Sequence, residues 1–219
     1  LATLEQTFAQ TWWGDPHQSQ PMALSIACPS DWGTLTTPAH LTALTAFVGS
    51  ARLPVQVDIG FGDAITPAPE LVTYPTLLEG MEAAQLRAYP IYTVIAEKFH
   101  AMVELGMNNS RMKDFFDLAV IARTSELDGG TLLEALRATF ERRGTPMPAS
   151  TPIALTQEFA ADPVKGKQWR AFVSKAGLQA DSLEDVLGAL DELLRPPIDA
   201  AVGGLRFHSK WSPELRRWT

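Results

Sequence analysis

"IYTVIAEKFHAMVELGMNNSRMKDFFDLAVIAR", residues 91–123, decides how the larger part of this chain folds. Apolar residues recur every three or four positions on both sides of one interruption, "GMNNS", so the stretch reads as two amphipathic helices joined by a short turn. Gly106 suits the end of the first helix, and Asn109 or Ser110 is available to cap the second. At about 100° per residue, the first helix gathers Glu97, His100 and Glu104 as its solvent side, whereas Lys98 falls among Val94, Ala101, Met102 and Leu105. A lysine on an apolar stripe has two readings. Its stem can snorkel to water, or its ammonium can be held over a cleft as a point charge for a phosphate. In the second helix Ser110, Lys113, Asp114, Asp117 and Ile121 lie within an arc of about 100°, and most of the remaining circumference is apolar. Lys113 and Asp117 are i, i+4 neighbours, but an exposed pair of that kind contributes only about 0.3–0.5 kcal/mol. A stripe of that composition on an otherwise apolar helix points instead to a site or a buried network.

Toward the C-terminus the pattern stays helical, in "GTLLEALRATFERRG" (130–144), around "IALTQEFAAD" (153–162), in "GKQWRAFVSKAG" (166–177), and in "SLEDVLGALDELLRPP" (182–197) with Glu184 and Asp185 in its first turn. Toward the N-terminus it changes. Residues 67–90 carry four prolines and read as loop-like, a linker or an ordered crossing segment. Before them "PVQVDIGFGDAI" (54–65) is the clearest strand, opened by Pro54, with Val55, Val57, Ile59 and Phe61 on one face and Gln56, Asp58, Gly60 and Gly62 on the other. Alternation leaves Asp58 either a solvated residue of a one-sided sheet or a carboxylate beside glycines where a ligand can approach. "HLTALTAFVGS" (40–50) is ambiguous between strand and helix, "MALSIAC" (22–28) reads as a short strand, and Leu4, Phe8 and Trp12 make residues 1–13 a helix. The expected class is α+β: a small mixed-sheet part over residues 1–86, then a mainly helical part over 87–219.

Composition narrows the functional classes. With 219 residues, 46% of them apolar, the chain can bury a sizeable core. It shows neither a long uninterrupted apolar run nor a basic leader followed by an apolar core, so no membrane association is expected and the cytoplasm is the expected location. The one cysteine, Cys28, reads as a small buried hydrophobe. The net charge of −7 lies entirely in residues 1–86, which hold Arg52 against eight acidic residues. An acidic chain has no general attraction to nucleic acid. Local clusters such as Arg142-Arg143 or Lys165, Lys167 and Arg170 read first as solvated helix surface. His17, His40, His100 and His208 lack metal-ligand spacing, and no GxSxG or phosphate-loop pattern occurs. Trp169, Trp211 and Trp218 read as packing.

"ARLPVQVDIGFGDAITP", "YPTLL", "LRAYPIYTVIAEKFHAMVELGMNNSRMKDFFDLAVIAR" and "LLEALRATFERRGTPMP", in this order, resemble the AbiEii/AbiGii toxin family of bacterial nucleotidyltransferase-like proteins, over roughly residues 50–175. The ending "RFHSKWSPELRRW" is similar to the family's own. The resemblance implies a nucleotidyltransferase-fold domain followed by a helical domain. It implies Mg2+-dependent transfer of a nucleotidyl group from a nucleoside triphosphate to an RNA, for some members tRNA, or to a protein, and a cognate antitoxin in a type IV pair. By resemblance Asp58 is the third active-site carboxylate, which orients or deprotonates the acceptor hydroxyl and contributes to metal binding, and Lys98 stands near the triphosphate. Ser110, Arg111, Lys113, Asp114 and Asp117 match the helical motif, with Lys113 and Asp117 contacting nucleotide or holding the site's geometry.

One family motif is missing. A Gly-Ser or Gly-Gly turn followed by an Asp-x-Asp pair should precede the first helix; Gly49-Ser50 and Asp58 mimic it, but Gly60 stands where the second carboxylate should be. Two ions clamping the attacking and leaving oxygens require those carboxylates. The expectation is therefore a chain that on its own binds Mg2+ poorly and catalyses weakly or not at all. Either it is part of a longer product, the reading its non-Met start favours, or it is a degenerate, non-catalytic homologue that binds a nucleotide or a partner.

Overall fold

The computed structural model describes residues 23–26, 39–48, 51–60, 64–76, 80 and 82–219. The helix expected over residues 1–13, Cys28, Phe61 and Gly62 lie outside the described residues. By contact the chain divides into two units, Leu1–Asp63 and Ala64–Thr219, so that residues 64–86 group with the helical part.

In the first unit β1 (Ala23–Ile26), β2 (Ala39–Val48) and β3 (Ala51–Gly60) form an antiparallel sheet in the order β1-β2-β3. The ambiguous segment is thus a strand, as its β-branched Thr42, Thr45 and Val48 favour. Its register with β3 runs unbroken from Ala39↔Gly60 to Val48↔Ala51, which places Asp58 opposite Leu41. β3 begins three residues before Pro54, and at the edge of the sheet among the described residues it tolerates a proline.

The loop expected over residues 67–90 is corrected. Glu70–Tyr74 (β4) pairs with Ala84–Ala88 (β5) in an antiparallel hairpin. Pro67, Pro69, Pro75 and Pro90 all lie outside the two strands, so the prolines punctuate the hairpin rather than abolish it. Thr93, just beyond Pro90, ties down the segment before β4: its hydroxyl accepts from the Thr66 N–H and donates to the Thr66 carbonyl, both at 3.0 Å.

Six α-helices complete the second unit among the described residues: α1 (Ile91–Leu105), α2 (Met112–Thr124), α3 (Gly129–Arg143), α4 (Gln157–Ala161), α5 (Pro163–Ala176) and α6 (Leu183–Val202). Their caps are local chemistry. Asp128, Thr156, Asp162 and Ser182 each accept backbone N–H bonds at a helix start, and Gly144 and Gly177 adopt the left-handed conformation at helix ends. α2 has no side-chain cap, contrary to the expectation for Asn109 or Ser110. Asn109 Oδ1 accepts instead from the Arg111 N–H at 2.9 Å, which shapes the turn before the helix. One core joins the helices, with Phe99, Phe115, Leu118, Leu136, Phe159, Leu190 and Leu193 fully buried, each side chain stabilising by about 1.5–3 kcal/mol.

α6 runs through Pro196 and Pro197 to Val202 instead of ending at them. A proline at 197 leaves the carbonyl of Leu193 without its helical donor, and Trp218 Nε1 donates to that carbonyl at 3.0 Å. Trp218 belongs to the C-terminal hairpin of β7 (Lys210–Ser212) and β8 (Arg217–Trp218), which pairs through β7 with β6 (Leu127–Asp128). Trp211 of the same hairpin donates to the Ala122 carbonyl at 2.7 Å, in the last turn of α2. Trp169, Trp211 and Trp218 pack as expected; the indoles of Trp211 and Trp218 also satisfy helix carbonyls, and that of Trp169 donates to the Asp181 carbonyl ahead of α6.

The solvent side expected on α1 is narrower than its periodicity implies. Glu104 is exposed, but α3 packs beside α1 and covers His100, which is 4% exposed. Its ring sits edge-on to Phe140 at 5.1 Å, and its Nε2 shares a hydrogen bond with the Thr145 hydroxyl at 2.9 Å. Burial, with Arg143 nearby, holds the imidazole below its ordinary pKa against the pull of Glu104 and Glu97.

Candidate functional site

Lys98 lies in the groove between α1 and α2. Its Nζ lies 2.6 Å from Asp114 Oδ1 and 2.8 Å from Asp117 Oδ2, and the side chains of Lys98 and Asp114 are 18% and 14% exposed. From α1 the ammonium reaches across to two carboxylates spaced i, i+3 on α2, a spacing that puts both on the face turned to α1. Lys113 Nζ shares the same Asp117 oxygen at 2.6 Å from the solvent side, and Arg111 Nε stands 3.8 Å from Asp114 Oδ2. Lys113 and Arg111 are themselves well exposed, at 71% and 62% of their side chains.

The cluster is layered: an inner ammonium, two half-buried carboxylates, and two outer cations. Burial would lower the pKa of Lys98, but its hydrogen bonds to Asp114 and Asp117 and their charges outweigh it and raise the value above that of ordinary lysine. Burial would raise Asp117, and the hydrogen bonds from Lys113 and Lys98 reverse this and hold its carboxyl below the ordinary range. Lys98 and Asp117 thus hold each other in their charged forms. Three cations against two carboxylates leave one excess positive charge, concentrated on the exposed side.

The structure brings Lys98, Arg111, Lys113, Asp114 and Asp117 together. Ser110 is exposed in the turn before α2, where its carbonyl accepts from the Met112 N–H at 2.9 Å. Asp58 lies on β3 of the first unit. The fit to a metal is poor among the described residues. Asp114 and Asp117 already hold ammonium partners, and no three His, Cys, Asp or Glu side chains gather where they could hold an ion. The expectation of a solvated surface at Lys165 is corrected: Lys165 is buried, 5% exposed, and its Nζ donates to the carbonyl of Asn109. Lys167 and Arg170 are exposed. Asn109 and Lys165 are functional candidates that periodicity on α2 alone did not reveal. A separate groove of about 550 Å3 between α2, α6 and the C-terminal hairpin has Val186 and Trp211 in its lining and Glu184 and Glu192 among its charged residues, and shares no residue with the cluster.

An antiparallel sheet in the first unit and a mainly helical second unit are consistent with a nucleotidyltransferase-like α+β fold. Residues 21–202 match the family described as nucleotidyl transferase AbiEii toxin, type IV TA system, and the chain belongs to that family of nucleotidyltransferase toxins. No curated protein and no solved structure matches the chain. No helix among the described residues is long and apolar enough to cross a membrane.

Proposed function

We propose that the Lys98 cluster is the triphosphate-handling part of a site that transfers a nucleotidyl group from a nucleoside triphosphate to an RNA acceptor, with tRNA as the acceptor class. The observation that carries this reading is the layered geometry: Lys98 clamped at 2.6 and 2.8 Å by Asp114 and Asp117, with Lys113 and Arg111 exposed above them. A triphosphate needs several cations that can reach its oxygens. Here the inner ammonium offsets much of the charge of the two aspartates, so the exposed Arg111 guanidinium and Lys113 ammonium can exchange their contacts with Asp114 and Asp117 for phosphate oxygens.

In the reaction, an acceptor hydroxyl oxygen bonds to the α-phosphorus, the bond from that phosphorus to the bridging oxygen breaks, pyrophosphate leaves, and the hydroxyl proton passes to a base. Arg111 and Lys113 bind and orient the leaving phosphates, while Lys98, Asp114 and Asp117 hold α2 against α1 so that this orientation persists. Ser110 is within the turn that would border the phosphates. Asp58 is assigned the acceptor proton by its motif. Mg2+, which the family resemblance implies, would supply charge stabilisation at the transferring phosphoryl group. The described carboxylates do not make up its ligand set, so the steps assigned to this chain's residues are binding and orientation. A cognate antitoxin encoded with the chain is the expected partner.

Incubation of the protein with Mg2+, tRNA and each nucleoside triphosphate radiolabelled at the α-phosphorus tests the reading. Label is expected on tRNA, and on none when Asp58→Ala or Lys113→Ala replaces the parent. Undiminished transfer by folded Lys113→Ala protein would refute the role given to the outer cations. Label appearing on protein instead of tRNA would change the acceptor class.

A further inference from the structure

The first turn of α5 carries a lysine in surroundings built for an apolar side chain. Lys165 is packed beneath the turn that leads into α2, and among the described residues no carboxylate pairs with it. Its Nζ donates to the backbone carbonyl of Asn109 at 2.9 Å and lies 5.2 Å from the centre of the Phe159 ring. That ring is stacked on Phe115 of α2 at 5.4 Å. The backbone of Lys165 is fixed in turn, because Asp162 Oδ1 accepts from the N–H groups of Val164 and Lys165 at 2.8 and 2.9 Å.

Asn109 is fully buried. Its N–H donates to the Gly106 carbonyl, its Oδ1 accepts from the Arg111 N–H, and its Nδ2 has no partner among the described residues. With no side-chain cap on α2, this turn alone defines where the helix begins, and the first two turns of α2 present Lys113, Asp114 and Asp117. A buried lysine without a carboxylate is a poor way to fill space, since a methionine occupies nearly the same volume without losing the hydration of an amine. What lysine adds is direction: one bond to one carbonyl, delivered from a different helix.

We propose that Lys165 is a positioning residue, which fixes the start and the rotation of α2 through the Asn109 carbonyl and so sets the geometry of the Lys98–Asp114–Asp117 cluster. The Asn109 carbonyl left bare would draw the turn toward another donor or toward water, and α2 would rotate with it. Only the consequence for nucleotide binding rests on the function proposed above; the positioning of α2 does not.

The test compares the full chain with Lys165→Met and, as a control on the exposed side of the same helix, Lys167→Met. Three quantities are read: thermal unfolding, the titration midpoint of the Asp117 carboxyl by NMR, and affinity for ATP, CTP, GTP and UTP by calorimetry. Lys165→Met is expected to unfold within about 5 °C of the parent. Its Asp117 midpoint is expected to rise by about half a unit or more as the grip of Lys98 loosens. The preferred nucleotide is expected to bind about tenfold more weakly, about 1.4 kcal/mol. An unchanged Asp117 midpoint in folded Lys165→Met protein, or an equal shift in Lys167→Met, overturns the proposal and leaves Lys165 a packing residue. Should the methionine variant not fold, Lys165→Gln, uncharged and too short to reach Asn109, is judged by the same midpoint. If no nucleotide binds the parent while the midpoint still moves, the positioning role stands and the proposed function fails.

Discussion

Asp117 on α2 and Asp191 on α6 are both half-buried, and they titrate in opposite directions. Asp191 behaves as burial alone dictates. Loss of water pushes its carboxyl above the ordinary value and Asp199 adds to this; Arg195 opposes but prefers Asp199, at 2.6 Å, and Asp191 Oδ1 has no hydrogen-bond partner among the described residues. Asp117 loses water to a similar degree, but Lys113 and Lys98 each donate to it, and its carboxyl falls below the ordinary value. The difference teaches that the charge state of a half-buried carboxylate here is set by what faces it across a helix pair, not by how much of it is covered. Two ammoniums converging on one oxygen are what distinguish the candidate site from an incidental buried acid.

The comparison breaks most visibly if the shared cation is removed. Lys98→Met leaves Asp114 and Asp117 facing an apolar stem. It is expected to lower stability by about 2 kcal/mol, less than for a fully enclosed pair because the cluster keeps some access to water and two other cations. Urea unfolding at neutral pH measures it, and a loss below about 0.5 kcal/mol would mean that solvent already screens the cluster.

Asp117→Asn acts more gently and carries a pH signature. A carboxylate whose native pKa lies below its unfolded value contributes stability that is present above the unfolded value, near 3.8, and is lost as pH falls through the depressed native value. The variant is therefore expected to be about 1 kcal/mol less stable than the parent at neutral pH, with the difference closing as the parent's carboxylate protonates in acid. Paired urea titrations across that range would show a constant gap if the depression of Asp117 were absent.

Asp191→Asn gives the smallest effect, of opposite sign. Its native pKa lies above the unfolded value, so the parent loses stability as pH rises from about 3.8 through the raised native value. At neutral pH the variant is expected to be more stable by about 0.5 kcal/mol, and the two chains converge as the parent takes up its proton. A destabilised variant at neutral pH would show that Arg195 is a stronger partner of Asp191 than its geometry implies.

Periodicity made the cluster legible because its anomaly lay within single helices. Lys98 stands out on an apolar stripe, and residues 110–117 form a polar stripe, before any tertiary contact is known. Which stripe faces which element is not written in one helix's own sequence. His100 falls on the polar side of α1 by the wheel, and only the packing of α3, with Phe140 against it, removes that side from water. The β4–β5 hairpin was hidden because prolines at its borders outweigh five-residue strands in any local reading. Lys165 did leave a trace. It lies four residues before Trp169 and seven before Phe172, on the face that α5 buries, but a run of cations around it argued for solvent. Asp58 is legible only as a position in an alternating strand, since nothing in that alternation distinguishes a solvated carboxylate from a catalytic one.

Pro197 and the C-terminal hairpin give the helical unit a property that neither has alone. The carbonyl that the proline frees in α6 and one in the last turn of α2 are both bonded to indoles of the same short hairpin, through Trp218 and Trp211. When the hairpin peels away, both helices lose a partner at once. The last turn of the helix that carries the cluster, the proline bend of α6 and the hairpin therefore open and close as one cooperative unit on the hydrogen-exchange timescale.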